Sequence, residues 1–299
     1  MSSTETGGEG IGLRGADQSD NQNLGRQVVG GFGDEWSRFT NQPLSDSELE
    51  EMFDLYATVF PWEELADDAV GFDAGCGSGR WANFFAPRVG LLHCIDASEV
   101  ALQVARETLR GQTNVEFHLQ DLCELGLPDE SFDFGYSLGV LHHIPDTELA
   151  TATCVQKLKP GAPFLVYLYY DLEDRGRLHK WLLRIVTATR YVVARLPRVL
   201  KQIAADAIAA FVYWPMARFA SLLDRAGRDS SWVPLFQYRR RSFYVMRNDA
   251  LDRFGTRLEK RYSRQDVLLL LEGAGLENVV FADGPPWWVA VGWRCQDSR

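Results

Sequence analysis

Short apolar runs alternate with helical patterns along most of the chain, and this alternation constrains the fold most strongly. Strands that alternate with helices form a parallel sheet covered on both faces. The sequence therefore predicts an α/β fold with a doubly wound, mostly parallel, seven-stranded sheet. The predicted strands are AVGFDAG (69–75), LLHCIDAS (91–98), NVEFHLQD (114–121), FDFGYSLGV (132–140), APFLVYLYY (162–170), LENVVFA (276–282) and PWWVAVGWR (286–294).

The chain divides into four predicted parts. The first is polar and glycine-rich and predicts a disordered tail, and the second contains an amphipathic helix and predicts a helical cap. The long gap in the strand pattern exceeds what a loop in a compact domain spans. It predicts a helical lid insertion with two amphipathic helices, the second kinked at Pro215. The tail, cap, core and insertion correspond to residues 1–30, 31–64, 65–170 with 263–299, and 171–262.

The overall composition is that of a globular protein, with 46% hydrophobic and 24% charged residues. The longest apolar stretch, 207–217, is shorter than the roughly 18 to 20 residues that cross a bilayer. The N-terminus lacks the pattern of a signal peptide. Five cysteines without CxxC spacing argue against a zinc site or a disulfide framework. We therefore expect a cytoplasmic protein without a metal.

The net charge of −10 argues against nucleic acid as a partner, since such binding needs a basic surface. Residues 171–262 depart from this average, because they contain 19 of the 31 basic and 9 of the 41 acidic residues, a local balance of +10. Helices within 178–226 combine basic and apolar faces. Two interpretations stay open, contact with an anionic membrane and an apolar lid packed on the core.

The segment VGFDAGCGSG (70–79) contains an acid at the end of an apolar strand and then three glycines. Such glycines allow the backbone to approach a ligand closely. Asp96 ends the next strand, 21 residues after Gly75, where a carboxylate accepts hydrogen bonds from a ribose diol. This pattern predicts binding of an adenosine-like ligand. Arg80 stands in place of the third glycine of a dinucleotide motif, which argues against a pyrophosphate.

The GxGxG pattern preceded by Asp73 resembles motif I of the class I S-adenosylmethionine-dependent methyltransferases. The segments QDLCELGLPDESFDFGYSLGVLHHIPD (120–146), LKPGAPFLVYL and SRQDVLLLLEGAGLENVVF are similar to later segments of that family. The resemblance covers about 65–170 and 263–294. It implies the class I methyltransferase fold, S-adenosylmethionine as methyl donor and S-adenosylhomocysteine as product.

The resemblance also implies a set of cofactor-binding residues. Asp121 matches the carboxylate that receives the adenine amino group, and Leu122 the residue whose backbone amide meets the ring. Ser137 and Leu138 match the strand end that meets the methionine moiety. The implied set is Trp36, Asp73, Gly75, Cys76, Gly77, Gly79, Asp96, Ala97, Asp121, Leu122, Ser137 and Leu138.

Candidates for catalysis follow the fourth and fifth strands, at the sheet edge where the methyl group should lie. His142 is predicted as a general base, because a histidine titrates near neutral pH. Tyr169 and Tyr170 are predicted to orient the acceptor. Predicted acceptor contacts comprise a histidine, an arginine triplet and a tyrosine: His143, Arg239, Arg240, Arg241 and Tyr244.

Each of these acceptor assignments has an alternative. Arginine forks bind carboxylate or phosphate, so the triplet predicts an anionic acceptor. Salt bridges to the acidic core are the other interpretation of the triplet. His143 could instead anchor the turn that follows it.

Three functions remain open from the sequence. The first is methylation of a small-molecule or lipid acceptor. The second is methylation of protein or RNA. Many amino-methylating members of the family have an NPPY-like tetrapeptide after the fourth strand, and this chain has SLGV (137–140) there, which argues against that function. The third is a non-catalytic adenosine-binding module.

Overall fold

The computed structural model describes residues 24–25, 28–31, 46–171 and 177–296, with side chains left out for 177–180. Trp36 lies outside the described residues. Residues 24–25 and 28–31, at the end of the predicted tail, are helical, and Val28 is buried where it lines the cavity described below. The predicted boundary of the tail stays a prediction.

A sheet of seven strands forms the core: β1 (Val70–Ala74), β2 (Leu91–Asp96), β3 (Val115–Leu119), β4 (Phe134–Leu138), β5 (Pro163–Tyr167), β6 (Leu276–Phe281) and β7 (Val289–Arg294). Their order in the sheet is β3-β2-β1-β4-β5-β7-β6. Strands β1 to β5 are parallel to one another, and β7 runs antiparallel to both β5 and β6. The predicted fold class is confirmed.

Helices cover both faces of the sheet: α1 (Asp46–Ala57), α2 (Ala82–Phe85), α3 (Glu99–Thr108), α4 (Thr147–Lys157) and α9 (Arg264–Gly273). Three of them, α3, α4 and α9, begin at capping side chains. The hydroxyl of Ser98 accepts from the Ala101 N–H, Asp146 accepts from the Leu149 N–H, and Ser263 forms a capping box with Asp266.

The helix predicted for 78–89 is shorter in the structure. Its α-helical part is only α2, followed by a 3-10 turn at Ala86–Arg88. Pro87 explains the early end, because proline cannot donate the backbone hydrogen bond that would continue the helix. The residues before α2 remain in the glycine loop and are available for the site.

Four helices lie between β5 and α9: α5 (Arg177–Val193), α6 (Arg198–Ile208), α7 (Trp214–Arg225) and α8 (Phe243–Gly255). The predicted kink at Pro215 takes a different form. A π-helical turn at Ala209–Tyr213 joins α6 to α7, and Pro215 falls in the first turn of α7, where its missing N–H costs little. α8 packs against both α5 and α6, so it lies between these helices and the sheet edge.

Candidate functional site

The glycine loop after β1 has the backbone geometry that its sequence requires. Gly75, Gly77 and Gly79 have φ values of 85°, 54° and 73°, a region that other residues rarely adopt. The Gly75 and Cys76 N–H groups donate to the Ile95 carbonyl at 2.8 and 2.9 Å. A Cβ at Gly75 would lie 2.5 Å from the side chain of Val140. The loop therefore stays close to the end of β4 and leaves a cavity above it.

Asp96, at the end of β2, joins the loop to the following helix. Its Oδ2 accepts from the Gly77 N–H at 2.9 Å and its Oδ1 from the Ser98 N–H at 2.8 Å. Burial raises the pKa of Asp96, and these backbone donors oppose that change. Each carboxylate oxygen has a further lone pair, so Asp96 can still accept from a ribose hydroxyl in the cavity.

The predicted cofactor residues divide into two groups in the structure. Asp121 accepts from the Cys123 N–H at 2.9 Å and lies at the cavity margin. Those that line the cavity are Gly75, Cys76, Gly77, Asp96, Ala97, Asp121, Leu122 and Leu138. Eight positions spread over 64 residues of sequence are thus brought to one surface by the parallel strand order.

Three other predicted cofactor residues do not line the cavity. Asp73 is buried below the loop, and this burial raises its pKa. Ser137 donates its hydroxyl hydrogen bond to the Ala74 carbonyl at 2.8 Å, within the sheet. A Cβ at Gly79 would lie 3.2 Å from the Ala105 backbone of α3. These residues shape the loop and the strand ends, and their contact with the cofactor stays a prediction.

The far wall of the cavity comes from α8, which the sequence analysis did not assign to the site. Five of its residues line the cavity, at the i, i+1, i+4, i+5 and i+8 spacing of one helix face: Tyr244, Val245, Asn248, Asp249 and Asp252. Tyr244 is the one that the sequence analysis predicted. Asp249 and Asp252 on that face were the sequence feature that could have indicated the site. The net positive charge of 171–262 directed the prediction to its arginines instead.

Aromatic side chains form the wall between α8 and the glycine loop. The ring of Tyr56 lies 4.9 Å from Tyr167 and 5.0 Å from Trp81, and Tyr167 lies 5.7 Å from Tyr169. All four line the cavity. Burial raises the pKa of Tyr56 to about 12. These phenols therefore stay neutral at neutral pH and present aromatic faces to a ligand.

Tyr169 and Tyr170 are neighbours in sequence that face different surroundings. The Tyr169 hydroxyl donates a short hydrogen bond to Asp252 Oδ2 at the cavity. Tyr170 packs on the other side, with its ring 5.3 Å from Trp288 in the hydrophobic core. The predicted role of Tyr170 in orienting an acceptor is wrong, because alternate residues of an extended strand end point to opposite faces.

The two histidines after β4 lie in different surroundings. His142 is fully buried, stacks on Tyr169 at 3.9 Å between ring centroids and does not line the cavity. Burial lowers the pKa of His142 well below its ordinary value. A buried imidazole that does not line the cavity cannot contact an acceptor there and so is unsuited to act as its base. His143 lines the cavity instead. The 3-10 turn at Leu141–His143 determines which ring faces which side.

His143 and Asp252 form a pair at the acceptor end of the cavity. His143 Nδ1 lies 2.7 Å from the Leu258 carbonyl, which can only accept, so this nitrogen carries the proton. His143 Nε2 lies 3.6 Å from Asp252 Oδ1. Among the described residues Asp252 Oδ1 has no hydrogen-bond partner. Burial raises the pKa of Asp252, and His143 and Tyr169 oppose this. Asp252 is therefore a carboxylate with a free buried oxygen at the cavity wall.

Replacing His142 by Phe should reduce the pH dependence of stability. The unfolded chain binds a proton at His142 below about pH 6.5, whereas the folded chain binds it only at lower pH. This histidine therefore costs the wild type stability as pH falls below about 6.5, at a slope approaching 1.4 kcal/mol per pH unit. Urea unfolding between about pH 5 and 7.5 measures it. Equal slopes for both proteins would contradict a buried neutral His142.

The structure places the arginine triplet away from the cavity. Arg239 Nε lies 2.6 Å from Asp224 Oδ2, Arg240 is largely exposed beside the same carboxylate, and Arg241 Nη1 lies 3.4 Å from Glu51 on α1. None of the three lines the cavity. The predicted anion clamp is replaced by salt bridges, which hold the segment before α8 against α7 and α1.

Changing all three arginines to Gln should lower the melting temperature and leave the acceptor KM unchanged. The triplet contacts carboxylates of the protein, so its loss removes ion pairs without altering the cavity. Thermal unfolding and steady-state kinetics measure the two effects. A raised KM without loss of stability would restore the anion-clamp interpretation.

One further cluster has metal-ligating side chains, although the sequence analysis predicted no metal. His93 Nδ1 lies 2.8 Å from His118 Nε2, and Glu116 Oε2 lies 3.6 and 3.8 Å from these nitrogens. Among the described residues this is the group whose donor atoms are close enough together for one ion. It lies on β2 and β3, and none of its members lines the cavity.

Comparison with known proteins identifies the core. A family model described as a methyltransferase domain matches residues 72–166, from β1 through β5. Residues 72–166 therefore match a methyltransferase domain, and the resemblance noted in the sequence is confirmed over them. Within the described residues, no helix is both long and apolar enough to cross a membrane.

Two curated relatives match parts of this chain. Phosphoethanolamine N-methyltransferase 2 of Caenorhabditis elegans is 34% identical over 100 residues, covering 32% of this chain and 23% of that protein. A ubiquinone biosynthesis O-methyltransferase of Hahella chejuensis is 32% identical over 128 residues, covering 42% of this chain and 51% of that protein. The chain thus spans about half or less of the length of these relatives.

A solved structure supports the fold alone. A protein from Bordetella parapertussis, described as a possible exported protein, covers 96% of this chain and 100% of its own, with a TM-score of 0.50 and 14% identity.

Proposed function

We propose that this protein transfers a methyl group from S-adenosylmethionine to the nitrogen of a small-molecule amine. The observation that carries the proposal is the acidic and aromatic wall opposite the glycine loop, formed by Asp249 and Asp252 with the cavity tyrosines. Amines are protonated at neutral pH, and carboxylates and aromatic faces both attract such cations. An acceptor with a carboxylate or phosphate would be repelled by the same pair.

The charges around the whole cavity favour this choice of acceptor. Among the described residues that line it, the ionisable acids and bases are Arg80, Asp96, Asp121, His143, Asp249 and Asp252. Asp96 and Asp121 lie toward the strand ends that the donor would occupy. Arg80 Nη2 is held 2.9 Å from the Asn248 side-chain carbonyl. Asp249 Oδ2 lies 3.7 Å from Arg253 Nε and accepts from the Tyr213 hydroxyl at 2.9 Å, so an arginine offsets its charge. Among the described residues Asp252 has no lysine or arginine within salt-bridge distance, so it is the acid of the acceptor half that favours a cation.

The residues at the glycine loop would hold the donor. Asp96 fits the ribose diol, because each of its oxygens has a lone pair left beyond its backbone contact. Leu122 and Asp121 fit the face and the amino group of adenine. Leu138 and the backbone of the loop fit the methionine moiety. S-adenosylmethionine supplies a methyl group that its sulfonium has already activated, so the protein has mainly to position the acceptor and remove a proton.

Asp252 is the group that would remove this proton. An ammonium must lose a proton before its nitrogen has a lone pair with which to attack a carbon. Asp252 Oδ1 is available among the described residues, and burial raises its pKa toward that of a useful base. The proton moves from nitrogen to this oxygen. His143 Nε2, 3.6 Å away, can share it while its Nδ1 stays hydrogen-bonded to Leu258.

The names of the two relatives do not indicate which atom this chain would methylate. One is named for transfer to nitrogen and the other for transfer to oxygen. The choice of nitrogen rests on Asp252 and the aromatic faces beside it in the cavity. Methylation of protein or RNA stays the alternative from the same enzyme class, and a non-catalytic adenosine-binding module is the alternative outside it.

Formation of S-adenosylhomocysteine in the presence of fractionated cell extract tests the proposal. The purified protein receives S-adenosylmethionine together with the metabolite, lipid, protein or RNA fraction of the extract. Turnover with the metabolite or lipid fraction is expected, because the acceptor wall is enclosed by α8 and tyrosines. Turnover only with protein or RNA would contradict the small-molecule acceptor. Donor binding without turnover in any fraction would favour the non-catalytic module.

A further inference from the structure

Large apolar side chains project into solvent along one face of the helix formed by α6, the π turn and α7. We call this face the outer stripe. Its members recur at spacings of three and eight residues, about one and two helical turns, and each is at least 48% exposed: Leu200 at 51%, Ile203 at 60%, Phe211 at 81%, Trp214 at 48% and Leu222 at 61%. The solvent-facing side of a surface helix ordinarily consists of polar and charged residues, so an apolar face of this size is unusual.

The opposite side of the same helix explains why the outer stripe stays exposed. Ala205, Ala209 and Ala217 are buried, and they pack toward α8. α8 in turn presents its own second face to the cavity. The apolar residues of the stripe thus do not form a lid on the core, since another helix already lies between them and the cavity.

The neighbouring elements add exposed aromatic side chains with polar tips. Trp181 and Tyr191 of α5 are 57% and 63% exposed, and Trp232, after α7, is 58% exposed. Trp and Tyr are enriched where protein meets the boundary between lipid and water, because one end of each ring system is apolar and the other donates a hydrogen bond.

The exposed charges in this region are mostly basic. Between residues 181 and 232 the exposed charged residues are five arginines and one acid: Arg184, Arg195, Arg198, Arg225, Arg228 and Asp229. The other two acids of this stretch, Asp206 and Asp224, are half-buried and paired with Arg247 and Arg239 at 3.0 and 2.6 Å. Basic side chains beside an apolar stripe complement an anionic lipid surface.

We propose that the outer stripe docks on an anionic lipid bilayer, with α6 and α7 lying in the plane of the membrane surface. The stripe enters the boundary between headgroups and acyl chains, and the arginines contact the headgroups. A protein partner, or a second copy of this chain, would need an apolar surface that covers the outer stripe and acidic groups that pair with the arginines beside it. The methyltransferase activity and the docking are independent, so each can fail without the other.

Co-sedimentation with vesicles tests the docking. The full chain is mixed with vesicles of phosphatidylcholine alone or with one third phosphatidylglycerol. Binding to the anionic vesicles is expected, with weaker binding to phosphatidylcholine and at high salt. A Phe211→Ser and Trp214→Ser double variant should lower the partition coefficient about tenfold or more. Both side chains are solvent-exposed, so the variant should fold.

Two matched variants separate the contributions. Leu119→Ser with Leu269→Ser removes apolar residues that are 55% and 57% exposed outside this region, and it should bind like the wild type. Arg225→Gln with Arg228→Gln should reduce the preference for anionic vesicles while the stripe stays intact. Absence of binding to anionic vesicles, or equal loss in the Leu119 and Leu269 control, would overturn the proposal. So would light scattering that shows a dimer which the Phe211 and Trp214 variant abolishes.

Discussion

Asp252→Asn should lower kcat by about 10²- to 10³-fold, the range expected for loss of a general base. The amide cannot accept the proton that an ammonium acceptor must lose, yet it preserves the size of the side chain. Donor binding should be unchanged, because Asp252 faces the acceptor half of the cavity. Steady-state kinetics and calorimetry with S-adenosylhomocysteine measure the two quantities separately.

The pH profile distinguishes this role from a structural one. A base must be deprotonated, so the wild-type rate should fall as pH decreases through the pKa of Asp252, which burial shifts upward. The Asn variant should lack this acidic limb. Asp229→Asn, on an exposed carboxylate outside the cavity, is the matched control and should behave like wild type. A variant that loses donor affinity as much as kcat would show that Asp252 only maintains the fold of α8.

Asp96→Ala should weaken donor binding by about 10- to 150-fold, corresponding to the 1.5–3 kcal/mol of hydrogen bonds to a charged group. Two effects combine here, since the carboxylate holds the Gly77 and Ser98 N–H groups and would accept from the ribose. Calorimetry with S-adenosylhomocysteine measures the change. Asp67→Ala, an exposed acid outside the cavity, is the control. If Asp96→Ala binds S-adenosylhomocysteine as tightly as the wild type does, Asp96 does not bind the ribose.

The donor half of the site could be predicted from the sequence because its determinants are local. A glycine loop that follows a strand, and an acid at the end of the next strand, meet wherever two parallel strands are adjacent. Gly75 and Asp96 satisfy this rule, and both line the cavity. Asp73 on β1 and Ser137 on β4 also lie near the ends of their strands, but both are buried and neither lines the cavity. The sequence pattern does not distinguish a buried position from a neighbouring one that faces the cavity.

The acceptor half could not be predicted, because it depends on which face of α8 turns inward. The basic balance of 171–262 drew the prediction to Arg239 to Arg241. Those side chains pair with Asp224 and Glu51, and the second partner is 190 residues away in sequence. Asp249 and Asp252 are two of the few acidic residues in this basic segment, but they are its charged residues that line the cavity.

His142 and His143 illustrate the same limit on a smaller scale. Both follow β4, and the sequence favoured His142 as the base. The 3-10 turn buries His142 behind Tyr169 and directs His143 toward Asp252. The direction of a side chain in a short turn depends on what packs around it, and here the packing partners come from β5 and α8.

The most direct test of amine methylation is transfer of labelled methyl from S-adenosylmethionine into a metabolite extract whose amines have been blocked. One half of the extract is treated with an amine-selective acetylating reagent and the other half is mock-treated. We predict that the wild type labels the mock-treated extract, that the labelled product is retained by a cation exchanger, and that acetylation abolishes the labelling. Undiminished labelling of the acetylated extract, in a product that the cation exchanger does not retain, would contradict an amine acceptor.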